Sequence, residues 1–359
     1  MHNRLLPFNS LPSLPPAIDL ENRLILKKAI LAHRALAELR QSALTLPNQN
    51  VLIQTLGLQE AKLSSEIENI VTTNDELYRA YMNRDGDISP EVKEVLSYPT
   101  ALWYGYQALK EGKRLLTASL FEEICQILKG HDSGIRKIAE TKLKNALGEV
   151  IYTPPEGEQV IRQKLKELED FIYLDKNLDP LVKLALIHYQ FEAIHPFHDG
   201  NGRTGRILNI LYLIDVGLLD IPILYLSRYF LLKRGEYYNG LRRITEENLW
   251  EEWILFFLEG VIETAQSSQT KIHDIQKLMK TTGQKIKQAL PRIYTKDLVE
   301  ALFQFPYCKI RFLEERGLAG RDTASTYLKK LEEIGVMRSV RIGREKYYIN
   351  DSFVQLLSQ

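Results

Sequence analysis

The sequence predicts a mainly α-helical protein made of more than one folded unit, and three observations support this fold class. The chain has 359 residues, which at about 150 residues per domain is enough for two or three units. Apolar residues make up 45% of it and charged residues 26%, a balance that favours a soluble globular protein over a disordered or fibrous one. Apolar residues also recur at helical spacings along several stretches.

The first element is a helix that follows a proline-rich arm. Leu20, Leu24, Leu31, Ala35 and Leu39 lie four or seven residues apart and therefore share one helix face. The pattern predicts further helices at 58–71, 92–109, 120–128, 158–174, 179–194 and 204–217.

One short β element interrupts the helices. Short apolar runs flank Gly148 within 143–152, which is the pattern of a hairpin. Pro154 and Pro155 follow and end it. The sequence therefore predicts a small hairpin in the middle of the chain.

The C-terminal part has a different pattern. Segment 271–288 is polar and rich in lysine, which predicts a solvated helix, and Pro291 follows it. Beyond it we expect three short helices and then two strands that turn at Gly343, a combination typical of a winged helix. These elements are predicted at 295–305, 309–316, 322–334, 336–342 and 346–349. The expected division is an N-terminal helical region over 1–110, a core over 111–262, a helical linker over 263–288 and a winged-helix-like domain over 289–359.

Charge and cysteine content disfavour several classes of protein. With 47 Lys and Arg against 46 Asp and Glu, no overall field directs the chain to nucleic acid or membrane. Cys125 and Cys308 are too few and too far apart for a disulfide framework, which suits a reducing cytosol. Residues 1–16 lack the pattern of a signal peptide, and acidic residues and a proline interrupt the apolar segment 207–226. We therefore expect a cytoplasmic protein with no membrane partner.

The most informative stretch is HPFHDGNGRTGR, residues 195–206, between two apolar helices. Gly200 and Gly202 allow backbone amides to approach a ligand, and the following helix points its positive end at the same place. Arg203 and Arg206 lie three residues apart on one helix face and can bind different phosphates of a polyphosphate. The stretch therefore predicts a phosphate site.

Three further side chains of this loop indicate the chemistry. Asn201 adds a neutral donor. Asp199 would repel phosphate unless Mg²⁺ lay between them, and such ions commonly bridge a carboxylate and substrate oxygens. His195 titrates near neutral pH and can take a proton from an attacking hydroxyl. The loop therefore predicts phosphoryl or nucleotidyl transfer.

Two plainer interpretations compete with this one. Two glycines at a helix start often mark only a tight turn, but a turn does not require a base, an acid and two arginines within twelve residues. His195, His198 and Asp199 suggest a transition-metal site, but that reading lacks a further ligand and leaves Arg203 and Arg206 unexplained. Transfer chemistry is therefore favoured over both.

The same stretch resembles the Fic family signature, His-x-Phe-x-(Asp/Glu)-Gly-Asn-Gly-Arg-x-x-Arg, and matches every fixed position. The resemblance, over most of 5–260, implies a Fic-type helical bundle and an enzyme that transfers AMP from ATP, with Mg²⁺, to a Ser, Thr or Tyr hydroxyl of a target protein or of itself and releases pyrophosphate. It implies that His195 is the general base and Asp199 the metal ligand, and it leaves a homodimer open. The implied phosphate cradle comprises Gly200, Asn201, Gly202, Arg203, Thr204, Gly205 and Arg206.

A second motif lies upstream. Ser64, Glu68 and Asn69 fit the family's inhibitory motif, (Ser/Thr)-x-x-x-Glu-(Gly/Asn). The resemblance implies that Glu68 pairs with Arg206 and blocks productive placement of the γ-phosphate of ATP. On its own this short pattern is common on solvated helices, and its position upstream of the signature is what supports the interpretation.

Two further segments are similar to family features. Segment 148–155 resembles the flap, a hairpin whose edge pairs with the backbone of the target protein. Tyr237 and Tyr238 resemble the segment that contacts adenine, although adjacent tyrosines in a helix are more often core residues.

The C-terminal unit supports a rival hypothesis, a DNA-binding transcription regulator with a nucleotide-sensing Fic domain. Basic residues on its third helix and hairpin can meet DNA phosphates. However, Glu314, Glu315, Glu332 and Glu333 lie in the same unit and interrupt a basic face. A structural or protein-binding role is therefore favoured for this unit.

Overall fold

The computed structural model describes residues 3–46, 48–82, 88–131, 134–137, 141–145, 147–175, 177–342 and 345–358. Over these ranges the protein is mainly α-helical, as the sequence predicts. None of the helices described is both long enough and apolar enough to cross a membrane. The turn predicted at Gly343 lies outside the described residues.

The N-terminal part is all helical. The Asn22 side chain caps the first helix by accepting hydrogen bonds from two backbone N–H groups. The Ser89 side chain caps the fourth helix by accepting a hydrogen bond from the Val92 N–H, and Pro90 occupies its first turn. The helices are α1 (Arg23–Leu44), α2 (Asn50–Ile67), α3 (Asn74–Met82), α4 (Pro90–Lys110) and α5 (Ala118–Lys129).

The central part contains the predicted hairpin and the most buried helices. The antiparallel hairpin pairs Leu143 with Tyr152. The elements of the central part are β1 (Leu143–Lys144), β2 (Val150–Tyr152), α6 (Glu158–Leu174), α7 (Pro180–Ile194), α8 (Asn201–Asp215), α9 (Ser227–Leu232), α10 (Arg234–Glu247) and α11 (Trp250–Ala289). Helices α7 and α8 are buried on nearly every side, so they form the centre of the bundle, while α1 packs along α11.

The C-terminal part begins at the end of α11, which runs unbroken through 263–288 and buries Ile272, Ile275 and Ile286 on one face. Beyond it lie α12 (Lys296–Leu302), β3 (Tyr307–Cys308), α13 (Ile310–Glu315), α14 (Arg321–Glu333), β4 (Arg338–Ile342), β5 (Glu345–Ile349) and α15 (Asp351–Ser358). The three strands form an antiparallel sheet in the order β3, β5, β4. Three short helices and a hairpin are therefore present as predicted, with one more strand and a final helix.

Two differences from the sequence predictions bear on the site. Helix α8 begins at Asn201, before the predicted start at 204, because Gly200 adopts a left-handed conformation (φ 81°) that ends the loop. The elements that the sequence did not predict are α3, α9, α10, α15 and β3. Most are short, and α10 buries only Tyr237 and Ile244, so it carries little apolar pattern.

Candidate active site

The loop between α7 and α8 is held by backbone geometry and one buried amide. His195 (φ 49°) and Gly200 (φ 81°) are both left-handed, an uncommon conformation for a residue with a side chain. The Asn201 amide donates to the Phe197 carbonyl (2.7 Å) and accepts from the Phe197 N–H (2.8 Å). The side chain of Phe197 is fully buried. The Asn201 side chain therefore holds the loop shape, and its contact with phosphate stays a prediction.

Two glycines of α8 allow carboxylates to approach the helix closely. A Cβ atom at Gly202 would lie 2.5 Å from Glu68 Oε1, and one at Gly205 would lie 2.6 Å from Glu192 Oε1. Contacts this short do not occur between real side chains and Cβ atoms, so any larger residue would displace the acids. Thr204, which lies between Gly202 and Gly205 in the chain, is fully buried.

Both predicted arginines lie in the first turns of α8 and are almost fully buried. Arg206 donates from Nη2 to Glu68 Oε1 (2.8 Å) and from Nε to Ser64 Oγ (2.7 Å). Arg203 donates from Nε to Glu68 Oε2 (2.8 Å), and its Nη2 lies 2.8 Å from Glu94 Oε1. Burial lowers the pKa of Arg206, but the negative charges around it, that of Glu68 foremost, together outweigh burial and the net pKa is raised. Glu68 therefore bridges both arginines, whereas the sequence implies a pair with Arg206 alone.

The residues that position Glu68 come from the end of α2. Glu68 caps this helix, and Asn69 follows in a left-handed conformation (φ 64°). The Asn69 side-chain oxygen accepts from Arg234 Nη1 (3.1 Å). Ser64 lies one helical turn earlier and is fully buried against Arg206. The structure therefore brings the whole upstream motif onto the first turns of α8.

Two more buried acids surround Arg206 and were missed by the sequence reasoning. Burial raises the pKa values of Glu60 and Glu192 to about 7. Glu60 accepts a hydrogen bond from Ser227 Oγ (2.5 Å) and lies on α2, one turn before Ser64. These acids are separated in sequence from α8, so no local pattern identifies them.

His195 lies at the end of α7 and is partly buried. Burial, together with the charge of Arg136, lowers its pKa to about 4, so its imidazole is neutral at pH 7. Arg136 donates from Nε to the His195 carbonyl (2.8 Å) and from Nη2 to the Pro155 carbonyl. Tyr152 in β2 donates to the Ala193 carbonyl (2.8 Å). Arg136, which the sequence reasoning missed, thus fastens the loop to the hairpin.

Asp199 faces solvent more than its neighbours, with 62% of its side chain exposed. Its Oδ1 accepts from the Gly200 N–H (2.6 Å), and its Oδ2 lies 2.5 Å from Lys129 Nζ. Burial raises the pKa of Asp199, but the hydrogen bond and charge of Lys129, with the Gly200 N–H and Arg203, together outweigh burial and the net pKa is lowered. Lys129 also contacts Glu94 (2.6 Å). The carboxylate is therefore ionised and already holds a cation at one oxygen.

The donor set at Asp199 fits a hard divalent ion that also has ligands from elsewhere. Mg²⁺ is commonly held by one or two carboxylates together with substrate phosphates. Within the described ranges, no three His, Cys, Asp or Glu residues are placed to share one metal ion.

The two tyrosines predicted to contact adenine have different surroundings. Tyr237 is buried and stacks on Phe230 (ring centroids 4.6 Å apart). Its hydroxyl oxygen lies 3.0 Å from His188 Nε2. Tyr238 is 42% exposed and lies under the guanidinium of Arg234. The structure therefore places Tyr237 in an aromatic core and leaves Tyr238 accessible to a ligand.

Comparison with known proteins finds two matching family models and solved structures of similar fold. The family model "Fic/DOC family N-terminal" matches residues 26–107, and "Protein adenylyltransferase SoFic-like, C-terminal domain" matches residues 278–353. The chain resembles the crystal structure of a Fic family protein from Desulfovibrio desulfuricans, with TM-score 0.56 and 17% identity over 93% of this chain and 97% of that one. It also resembles Fic-1 from Caenorhabditis elegans, with TM-score 0.54 and 21% identity over 71% and 74%. These neighbours establish the fold.

Curated relatives match the chain over a shorter region. A probable protein adenylyltransferase of Aquifex aeolicus is 35% identical over 95 residues, or 26% of this chain and 27% of the relative. Protein adenylyltransferase fic-1 of C. elegans is 37% identical over 92 residues, or 25% and 17%. The matches thus span about a quarter or less of these relatives. The chain therefore carries a region matching the Fic/DOC N-terminal model and one matching the SoFic-like C-terminal model, and its fold is similar to that of Fic family proteins.

Proposed function

We propose that this protein is a protein adenylyltransferase that transfers AMP from ATP to a hydroxyl of a protein and restrains itself through Glu68. The observation that carries the proposal is the bridge from Glu68 to Arg203 and Arg206. Two buried arginines beside a helix N-terminus form a site for phosphates, and here a carboxylate occupies it. Relatives named protein adenylyltransferase support the reaction class.

In the proposed reaction, the target hydroxyl oxygen attacks the α-phosphorus of ATP. His195, neutral at pH 7, accepts the hydroxyl proton as the new phosphorus–oxygen bond forms. The bond from the α-phosphorus to the oxygen that bridges the α- and β-phosphates breaks, and pyrophosphate leaves. Arg203 and Arg206 stabilise the negative charge on the leaving phosphates once Glu68 no longer occupies them.

Asp199 would hold Mg²⁺, which neutralises phosphate charge when bound. The ammonium of Lys129 at Asp199 Oδ2 supports the idea that a cation fits there. We propose Thr204, Gly205 and the amides after Gly200 as the remainder of the phosphate cradle, and Tyr238 as the adenine contact.

The hairpin is the proposed docking site for the target chain. Arg136 and Tyr152 fasten it to the catalytic loop, so a strand paired with its edge would present a side chain to His195. The target is a protein with an accessible Ser, Thr or Tyr, or a copy of this chain. The DNA-binding alternative gains no support from the family models, and Arg338 of β4 is paired with Asp351 (2.7 Å).

The position of a radioactive label in ATP tests the reaction class. Purified protein and its Glu68→Gly variant are incubated separately with ATP labelled on the α-phosphate and on the γ-phosphate, and protein-bound label is counted. Adenylyl transfer leaves α-label and no γ-label on the protein. His195→Ala should remove the label while ATP binding, measured by calorimetry, persists. Incorporation of γ-label would show phosphoryl transfer and refute the proposal.

A further inference from the structure

The end of α5 places an ammonium group against the proposed metal ligand. Lys129 is the last residue of that helix, and its side chain is only 14% exposed. Its Nζ lies 2.5 Å from Asp199 Oδ2 and 2.6 Å from Glu94 Oε1. Lys129 therefore connects two carboxylates from different parts of the fold, the first turns of α4 and the catalytic loop.

This arrangement disfavours a metal ion on the same oxygen. A divalent ion within bonding distance of Asp199 Oδ2 would lie within a few ångströms of the ammonium, and like charges at that separation repel strongly in a partly buried site. Asp199 Oδ1 accepts a hydrogen bond from the Gly200 N–H and lies 3.8 Å from Arg203 Nη2, so a metal ion at that oxygen would also face a guanidinium charge. Oδ2 is therefore the oxygen for which a metal ion and Lys129 would compete.

We propose that Lys129 is a tethered cation that competes with the divalent metal for Asp199, and that Glu94 retains the ammonium when the metal displaces it. The inference rests on the proposed role of Asp199 in the transfer reaction. It adds a second restraint to the one at Glu68, since the Glu68 carboxylate opposes the phosphates and Lys129 opposes their metal ion.

The geometry of Glu94 links the two restraints. Its Oε1 contacts both Lys129 (2.6 Å) and Arg203 Nη2 (2.8 Å). When a metal ion displaces Lys129 from Asp199, the Glu94 carboxylate still pairs with the ammonium. No charge is therefore left unpaired in the partly buried site. Lys129 is thus a positioning residue that sets how tightly the site binds its metal.

Metal binding by the protein saturated with an ATP analogue that it cannot cleave tests the inference independently of activity, because the phosphates supply the other ligands of the ion. Mn²⁺ serves as the probe, because carboxylate sites accept it as they do Mg²⁺ and free Mn²⁺ is counted by electron paramagnetic resonance. We expect Lys129→Met, and Lys129→Gln as a second variant, to bind Mn²⁺ at least about ten-fold more tightly than the wild type, because they remove a competing charge-assisted hydrogen bond. Lys129→Arg, which keeps the charge, should retain the wild-type affinity.

Lys166 provides the matched control. It also contacts two carboxylates, Glu169 (3.4 Å) and Asp170 (2.9 Å), but it is exposed and distant in sequence from the loop. Lys166→Met should not change Mn²⁺ affinity, and adding Asp199→Ala to Lys129→Met should abolish the gain. If the wild type and Lys129→Met bind Mn²⁺ with equal affinity, and Asp199→Ala weakens that binding, this inference alone is overturned. Mn²⁺ binding that is insensitive to Asp199→Ala, or absent throughout, would overturn it together with the metal role of Asp199.

Discussion

Removing the Glu68 carboxylate should activate the enzyme, because this single group occupies both phosphate-binding arginines. Its two oxygens each lie 2.8 Å from a guanidinium nitrogen, one of Arg203 and one of Arg206. The arginine side chains are at most 2% exposed and that of Glu68 is 22% exposed, so solvent screens these bonds weakly. Glu68→Gly frees both arginines without altering them.

The expected size of the activation follows from the strength of the competing bonds. A hydrogen bond between charged groups contributes about 1.5 to 3 kcal/mol. Loss of one such competitor corresponds to roughly 10- to 150-fold more productive ATP placement, and loss of both corresponds to about 150-fold or more. Arg206 keeps its bond to Ser64 and Arg203 its contact with Glu94, so both remain positioned.

Self-labelling from α-phosphate-labelled ATP measures this activation without a known target. We expect strong labelling of Glu68→Gly, and weak labelling of the wild type, of Arg206→Ala and of Glu68→Gly combined with His195→Ala. Arg206→Ala also frees Glu68, but it deletes the phosphate ligand, so the two substitutions should act in opposite directions. Glu66→Gly is the matched control, because Glu66 lies in the same helix and pairs only with Lys62 (3.3 Å) among the described residues.

One result would refute the reasoning. If folded Glu68→Gly incorporates label no faster than the wild type and Glu66→Gly, the bridge to the two arginines does not limit the reaction. Glu68 would then be a structural partner of α8. A loss of thermal stability in Glu68→Gly without activation would support that structural role.

Three further predictions concern the loop and its supports. Asp199→Ala should lower labelling by the Glu68→Gly variant and flatten its Mg²⁺ titration, whereas an unchanged titration would argue against a metal role. Arg136→Met should lower the free energy of unfolding in urea by about 2 to 4 kcal/mol, since it leaves buried carbonyls of the loop and hairpin without a donor. The exposed ion pair of Arg162 with Glu158 serves as the control. Arg162→Met should lower the free energy of unfolding by at most about 1 kcal/mol. Because the His195 base acts when neutral and its pKa is lowered to about 4, kcat/KM should stay level from about pH 8 down to about pH 5 and fall only below it, and an acid limb near 6.5 would contradict this.

The sequence by itself determined the features that depend on neighbouring residues. Apolar spacing located the long helices, and Gly148 with the two prolines that follow at 154 and 155 located the hairpin. The loop from His195 to Arg206 carries its base, acid, glycines and arginines within twelve consecutive residues, so its chemistry can be predicted without knowing the fold. The short helices α3 and α9 and the polar helix α10 escaped prediction because their stability comes from packing more than from a pattern of their own.

The tertiary structure alone decided which charges meet. Glu68 lies more than a hundred residues before Arg203, and packing of α2 against α8 is what makes it bridge two arginines instead of one. Lys129 and Glu94 look like ordinary solvated charges of α5 and α4 until the fold brings them to Asp199. Long-range ion pairs depend on how helices pack, and burial, which makes these pairs strong, exists only in the folded chain.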